Sequence, residues 1–397
     1  DSPPDADAVT YYEDVAPILA DNCVSCHQAG EVGPFVLVDY ESVSMVGSAV
    51  AESVASRRMP PFLADNSGSC ATYEHAAWLE QDEIDLVQAW VDGGMAEGDP
   101  ANAPEMPAPE AGLEDRTTHQ LPMDTPYAAD FQSGDDDYRC FVIDPGLTED
   151  GYVTAFEIEA GDPEIVHHVI VYHPEGAGAL ADAYALDDAE AGEGYTCFGG
   201  PLVSASMVAA WAPGRTIWEY PEGTGIAVDA GMPLIVQMHY NNGGISNQDA
   251  STVNLEIQPS VDRELTSWFY VNTDIAIPPG EEDHEENQQM KLQNYAGYDP
   301  GDLEILGVGP HMHSIGSSMY AEVRYQDDDT ACLVDMPRWD FNWQFAYMFE
   351  QPVPISGADK LFMNCNYDSS DREDTTYWGD GTGDEMCLLT MYTVSAE

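Results

Sequence analysis

A chain of 397 residues, 44% of them hydrophobic, has material for two or three separate cores, so a single fold is not expected to cover it. Its 73 acidic residues against 11 basic ones give a formal charge of −62, which excludes nucleic acid and anionic membrane surfaces as partners and suits high salt or a cationic partner. No apolar run is long enough to span a bilayer and no signal-like segment opens the chain, so it reads as a soluble, processed protein.

After a disordered-looking DSPPDADA, Tyr11 to Ala20 has helical periodicity and runs directly into Cys23. Ser42 to Ser56 reads as a second helix leading to RRMPPF. A third, LEQDEIDLVQAWVDGG, puts Ile84, Val87, Trp90 and Val91 on one face and stops at Gly93-Gly94. Residues 1–100 are therefore predicted to form a small all-α domain. Residues 101–126 turn to Pro, Ala and Glu (DPANAPEMPAPEAG), which cannot build a core and reads as an extended linker. From 127 to 397 short β-branched and aromatic runs alternate with Gly, Pro, Asn and Asp, among them YVTAFEIE, EIVHHVIVYH, PLIVQMHY, SMYAEVRY and KLFMNCNY. This series is longer than one common sandwich, which predicts two all-β antiparallel, jelly-roll-like sandwiches, 127–260 and 261–397, joined near Pro259 to Arg263.

The segment DNCVSCH holds the first chemistry. In Cys-x-x-Cys-His the two thiols attach covalently to a haem and the histidine ligates its iron, which assigns Cys23, Cys26 and His27 to haem c. Met59 is the candidate sixth ligand, held by Pro60-Pro61, with His75 as its rival; Met45 and Met95 read as core residues. Arg57 and Arg58 are either partners for haem propionates or a solvated pair. With RMPPF and an aromatic-bearing closing helix, this segment resembles a small class I type cytochrome c, which implies electron transfer.

The other six cysteines, Cys70, Cys140, Cys197, Cys332, Cys365 and Cys387, are too widely spaced for a zinc site and read as disulfide partners. Disulfides and thiol-attached haem both point to a periplasmic or secreted protein.

Five histidines of the β-rich region fall in three compact motifs. Strand alternation places His311 and His313 of PHMH on one face, and Gln237 and His239 of VQMH likewise. Adjacent His167 and His168 of VHHV would point to opposite faces, so joint ligation requires a bulge or a strand edge. Imidazoles without carboxylates suit copper, zinc, iron or nickel, and a thioether, here Met386 in GDEMC, selects copper(I). Gln237 is expected to bond near the first metal or to cap a strand edge. His119, His173 and His284 are left outside both sites.

With these motifs in order, together with YRC, YTCF, VAAWAPG, IPPGE, HMHSIG and LFMNCNY, the region resembles the copper type II, ascorbate-dependent monooxygenases, the family of peptidylglycine α-hydroxylating and dopamine β-monooxygenases. The resemblance implies two copper ions, one on His167, His168 and His239, the other on His311, His313 and Met386, with these last three catalytic. It also implies disulfides Cys140–Cys197 and Cys365–Cys387. Cys70 and Cys332 are left over, as a third bridge or as two separate thiols.

The implied function is hydroxylation of a C–H bond of a small organic substrate with O2. Electrons would come from an external donor, ascorbate or a redox protein, through the attached haem, a tethered carrier having a high effective concentration at its target. Alternatives are a non-catalytic copper and haem carrier or sensor, and an oxygenase using peroxide. Two departures bear on the substrate. The peptide-processing branch has an arginine at the position of Gly309, and asparagine and tyrosine at those of Leu388 and Thr390, so the carboxylate grip is gone. An apolar or aromatic compound beside Leu388 and Met391 is the expectation.

Overall fold

The computed structural model describes residues 8–29, 33–108, 112–113, 116, 118–131, 136–212, 217–242, 248–381 and 383–396. The opening DSPPDADA, up to residue 7, and residues 109–111 of the expected linker lie outside them. The chain divides into two units, one formed by residues 1–67 and 75–111, the other by residues 68–74 and 112–397.

In the first unit a π-helical turn, Tyr11–Val15, passes into the helix Ala16–Asn22, and two longer helices follow, Tyr40–Ala55 and Gln81–Asp92. Each longer helix starts where the sequence supplies a cap. Asp39 accepts the backbone N–H of Ser42 at 2.8 Å, and Glu80 with Glu83 forms a reciprocal capping box. Ile84, Val87 and Trp90 of the last helix pack with Tyr11, Leu19, Val43 and Val54 in one buried cluster.

The expected small all-α cytochrome c domain is not what the structure contains. The chain is mostly β, its α-helices are short, the longest being Tyr40–Ala55, and among the described residues, 24–29, 33–39 and 56–80 contain no helix. The physical reason lies in the breakers of these stretches, Gly33-Pro34 in one and Pro60-Pro61 and Gly68 in the other. Met45 is also corrected: it is 76% exposed, on the outer side of its helix, whereas Met95 packs against the core.

The second unit holds two pairs of larger sheets and two two-stranded ones. The first pair consists of a six-stranded sheet around Gly151–Glu159 and Thr252–Gln258 and a five-stranded one in the order Tyr195–Thr196, Asp136–Ile143, Leu234–Asn241, Val166–Pro174, Ala205–Trp211. LIVQMHYN at its centre is buried along seven of its eight residues, as a strand covered on both faces requires. The second pair consists of Thr266–Val271, Leu388–Ser395, Asp302–His311, Tyr347–Ser356 and of His284–Lys291, Lys360–Tyr367, Gly316–Arg324, Thr330–Met336. One apolar core runs through the first pair and on to Leu306, Met348, Tyr392 and Val394 of the second. At about 1.5–3 kcal/mol for each fully buried large aliphatic or aromatic side chain, this continuity ties the two sandwiches together.

The β part is neither purely β nor purely antiparallel. A helix, Gly176–Ala189, is inserted after Val166–Pro174, and Arg263–Glu264 pairs in parallel with the strand Thr224–Val228. The Pro-rich stretch before it ends in a strand, His119–Pro122, paired with Thr252–Gln258.

Three disulfides staple this unit. Cys140–Cys197 lies within the five-stranded sheet, Cys365–Cys387 joins the two sheets of the last sandwich, and Cys70–Cys332 fastens residues 68–74 to it. There the buried Tyr73 donates to the carbonyl of Leu333 and stacks on Phe349.

Candidate metal centres

The first cluster is built by a bulge. Opposite Leu234–Asn241, His239 pairs with His168, but Tyr240 pairs with Val166, so His167 is the extra residue of the bulge. Extra residues of this kind turn side chains out of strict alternation, and here both neighbouring rings come to one side. His167, His168 and His239 hold their ligating atoms within 4.8 Å of one another. His168 Nδ1 lies 3.3 Å from His167 Nδ1 and 3.2 Å from His239 Nδ1.

A carboxylate decides which nitrogen of His239 carries the proton. Its Nε2–H donates to Asp136 Oδ1 at 2.9 Å, leaving a lone pair on Nδ1 aimed into the cluster. Tyr138 stacks on the same ring at 4.0 Å between centroids and 8° between planes. Burial first, and the His239 imidazole second, push His167 down to about 4. His168 is held well below the usual range by the same causes. Three imidazoles with converging nitrogens and no carboxylate among the ligating atoms form a donor set that fits copper or zinc.

The second cluster sits where Asp302–His311 ends. The rings of His311 and His313 are 5.2 Å apart at 89°. Here the Nδ1 atoms are the ones engaged: His311 Nδ1 with Gln344 Oε1 at 2.5 Å, and His313 Nδ1 with the Asp384 carbonyl at 3.2 Å. Both Nε2 atoms are thereby left to a ligand. Burial pushes His311 down to about 3, with the neighbouring His313 adding to it, and lowers His313 as well.

The backbone at Met386 is fixed from three sides. His311 is the register partner of Leu388, Tyr367 Oη donates to the Met386 carbonyl at 2.9 Å, and Cys387 is locked in its disulfide. Glu385, fully buried, accepts the backbone N–H groups of His313 at 2.9 Å, Ile315 at 2.8 Å and Met386 at 3.2 Å. Burial pushes its carboxyl up to about 7 against the pull of those three N–H groups and of Arg372.

Phe341 lies between the clusters, stacked on His167 at 5.0 Å and edge-on to His313 at 6.1 Å. A polar cavity of about 290 Å³ beside Asp384 is lined by Arg372, Asp374, Thr376 and Tyr377. It does not match the apolar pocket expected beside Leu388 and Met391, because Met391 is 1% exposed inside its sheet. Gly309 and Thr390 face each other in register, so the two departures from the peptide-processing pattern occupy one spot. A Cβ at Gly309 would meet Thr390 Cβ at 3.4 Å.

Several residues lie elsewhere. Gln237 neither reaches the first cluster nor caps an edge; it sits in the central strand and donates to the Cys197 carbonyl at 2.8 Å. His173 bonds to Asp229, and His284 to Glu281 and Glu286. In the first unit, His27 Nδ1 donates to the carbonyl of Phe35 at 3.0 Å, Cys23 is buried and Cys26 half-buried. Met59 is partly buried, and its N–H is bonded to the Ser53 carbonyl. Arg57 donates to the Leu79 carbonyl and lies over Trp78, and Arg58 bonds to Ser53. Sequence reasoning missed Asp136, Gln344 and Phe341, which reach the clusters only through pairing and loop closure. Glu385 was inside a quoted motif and carried a signal, a carboxylate next to a candidate ligand.

The geometry defines a protein in which paired β-sandwiches carry two histidine clusters, one of three imidazoles and one of two. Residues 127–246 match the N-terminal domain, and residues 265–394 the C-terminal domain, of copper type II ascorbate-dependent monooxygenases. Together these matches cover more than half of the chain, which belongs to that family. It is 26% identical over 304 residues to putative DBH-like monooxygenase protein 2 of Homo sapiens, covering 70% of this chain and 57% of that one. Against peptidyl-glycine alpha-amidating monooxygenase A of Xenopus laevis the identity is 25%, over 66% of this chain and 27% of that one. Against dopamine beta-hydroxylase of Equus caballus it is 25%, over 62% and 44%. The chain thus spans little more than half, or less, of the length of these relatives.

Proposed function

We propose that this protein is a copper-dependent monooxygenase that hydroxylates a C–H bond of a small organic substrate with O2 and ascorbate. The observation that carries the reading is the convergence of imidazole nitrogens: the Nδ1 atoms of His167 and His239 lie within 3.3 Å of His168 Nδ1, and the Nδ1 bonds of His311 and His313 leave their Nε2 atoms for a metal. His167, His168 and His239 would hold one copper, and His311, His313 and Met386 the other. Copper supplies one-electron redox chemistry and activation of O2, one oxygen atom entering the C–H bond and the other leaving as water with two electrons and two protons.

The chain's own residues do the rest. Asp136 holds the proton on His239 Nε2, and Gln344 and the Asp384 carbonyl hold those on His311 and His313. The Met386 thioether favours the reduced metal. Phe341 excludes water from the faces of His167 and His313 that it covers.

Copper-loaded protein given ascorbate and substrate should consume O2 and place one labelled oxygen atom in the product, and chelation should abolish both. Turnover with peroxide in the absence of ascorbate would contradict the reading. Copper uptake without O2 consumption across substrate classes would favour the carrier.

Haem c on Cys23, Cys26 and His27, with Met59 as the sixth ligand, is the second element of this reading. It is supported by the motif and by the His27 Nδ1 bond to Phe35, which leaves Nε2 for iron. Gly33 fits it too, since a Cβ there would lie 2.6 Å from His27 Nδ1. Protein matured with haem should show the alkaline pyridine spectrum of a haem attached at two thioethers, and Cys23→Ser/Cys26→Ser should lose it. Reduced haem that is not reoxidised by the copper-loaded protein under O2 would remove it as the electron supplier. Three disulfides and the haem thioethers together suit an oxidising compartment, periplasmic or extracellular.

A further inference from the structure

We infer that Glu385 is the positioning residue of the second metal centre, its carboxylate joining the histidine-bearing and the methionine-bearing segments; this rests on the copper reading of that centre. The segments come from different places, His311 and His313 from the end of one strand and Met386 from the loop before another. Main-chain pairing reaches only as far as His311 and Leu388. Beyond that pair, His313 and Met386 have no ladder bonds between them, and Glu385 replaces the ladder. Its Oε2 accepts from His313 and Met386, and its Oε1 from Ile315.

The electrostatics point the same way. A carboxylate with no exposed surface normally has a cationic partner, because its desolvation is otherwise uncompensated. Among the described residues no Lys, Arg or His lies within ion-pair distance of Glu385. Arg372 acts on it only through space and is itself bonded to Ser314 Oγ at 3.3 Å. A metal ion held by His311, His313 and Met386 would place positive charge beside this carboxyl group. The carboxyl group therefore shapes the ligand set through its hydrogen bonds to both segments. The positioning is specific to one centre, since the first cluster has its own carboxylate, Asp136, acting through an imidazole.

The test uses full-length protein titrated with copper(I) against a chromophoric copper(I) chelator, for wild type, Glu385→Gln, Glu385→Asp and the control Glu157→Gln. Glu157 is similarly buried and accepts the Leu113 N–H at 3.0 Å, but contacts neither centre. Gln presents an N–H2 where an acceptor is needed, and Asp is one methylene too short to span the three donors. Glu385→Gln should weaken one of the two copper equivalents 10–100-fold, the range for losing an outer partner of a metal ligand, and leave the other unchanged. The copper–sulfur signal in X-ray absorption should fade with it. Glu385→Asp should fall between, and serves alone if the Gln variant does not fold. Glu157→Gln should shift only the unfolding midpoint. Two wild-type equivalents in a folded Glu385 variant, or equal weakening of both, would overturn the positioning role. Wild-type protein that takes up fewer than two copper ions would overturn the copper reading, and this inference with it.

Discussion

Met386→Ile is expected to lower hydroxylation more than about 100-fold while the protein stays folded. Losing merely an outer partner of a ligand costs about 10–100-fold in affinity or activity, and losing the ligand itself should cost more. The substitution is close to volume-conserving in a buried place, so its cost in stability should stay under about 1.5 kcal/mol. The thioether is also the only soft donor proposed for either centre, and its removal withdraws the preference for reduced copper. Oxygen uptake, product analysis and thermal unfolding of the same preparation check this. Wild-type turnover in a folded Met386→Ile protein would remove Met386 from the mechanism.

His168→Ala should have an effect of similar size on turnover with a different copper signature. His168 Nδ1 is the central atom of the first cluster, within 3.3 Å of both neighbouring Nδ1 atoms, so its loss leaves two imidazoles facing each other across a gap. Copper content should fall from two equivalents to one. Ascorbate-driven turnover should fall more than about 100-fold, while the copper–sulfur signal of the other centre persists. Metal analysis beside steady-state kinetics separates this variant from Met386→Ile, which keeps the first centre and loses that signal. Full turnover with one copper would contradict a two-centre enzyme.

The site was legible in the sequence to the extent that its chemistry sits in short motifs. Adjacent His167 and His168 cannot both serve one side of a regular strand, which forces the bulge found opposite His239 and Tyr240. Strand alternation reaches only His311, because the strand Asp302–His311 ends there and His313 follows in the loop beyond it. The partners that set their protons were not legible, because Asp136 and Gln344 stand 103 and 33 residues from the rings they hold. Pairing register and loop path bring them there, and no local pattern encodes either. Gln237 shows the reverse error: sharing a face with His239 suggested a role at the metal, but burial in a central strand gave it a carbonyl on a disulfide instead. The β-rich architecture followed from alternation and turn residues. The all-α expectation for the front unit fails because Gly33-Pro34, Pro60-Pro61 and Gly68 break the stretches between its three helical patterns.

The central claim is that five imidazoles and one thioether form two separate copper centres. Anomalous scattering at the copper edge from crystals of copper-loaded protein tests it most directly. Two peaks are expected, one among Nδ1 of His167, His168 and His239, the other among Nε2 of His311 and His313 and the sulfur of Met386. A single peak, or copper bound away from these six side chains, would contradict the account.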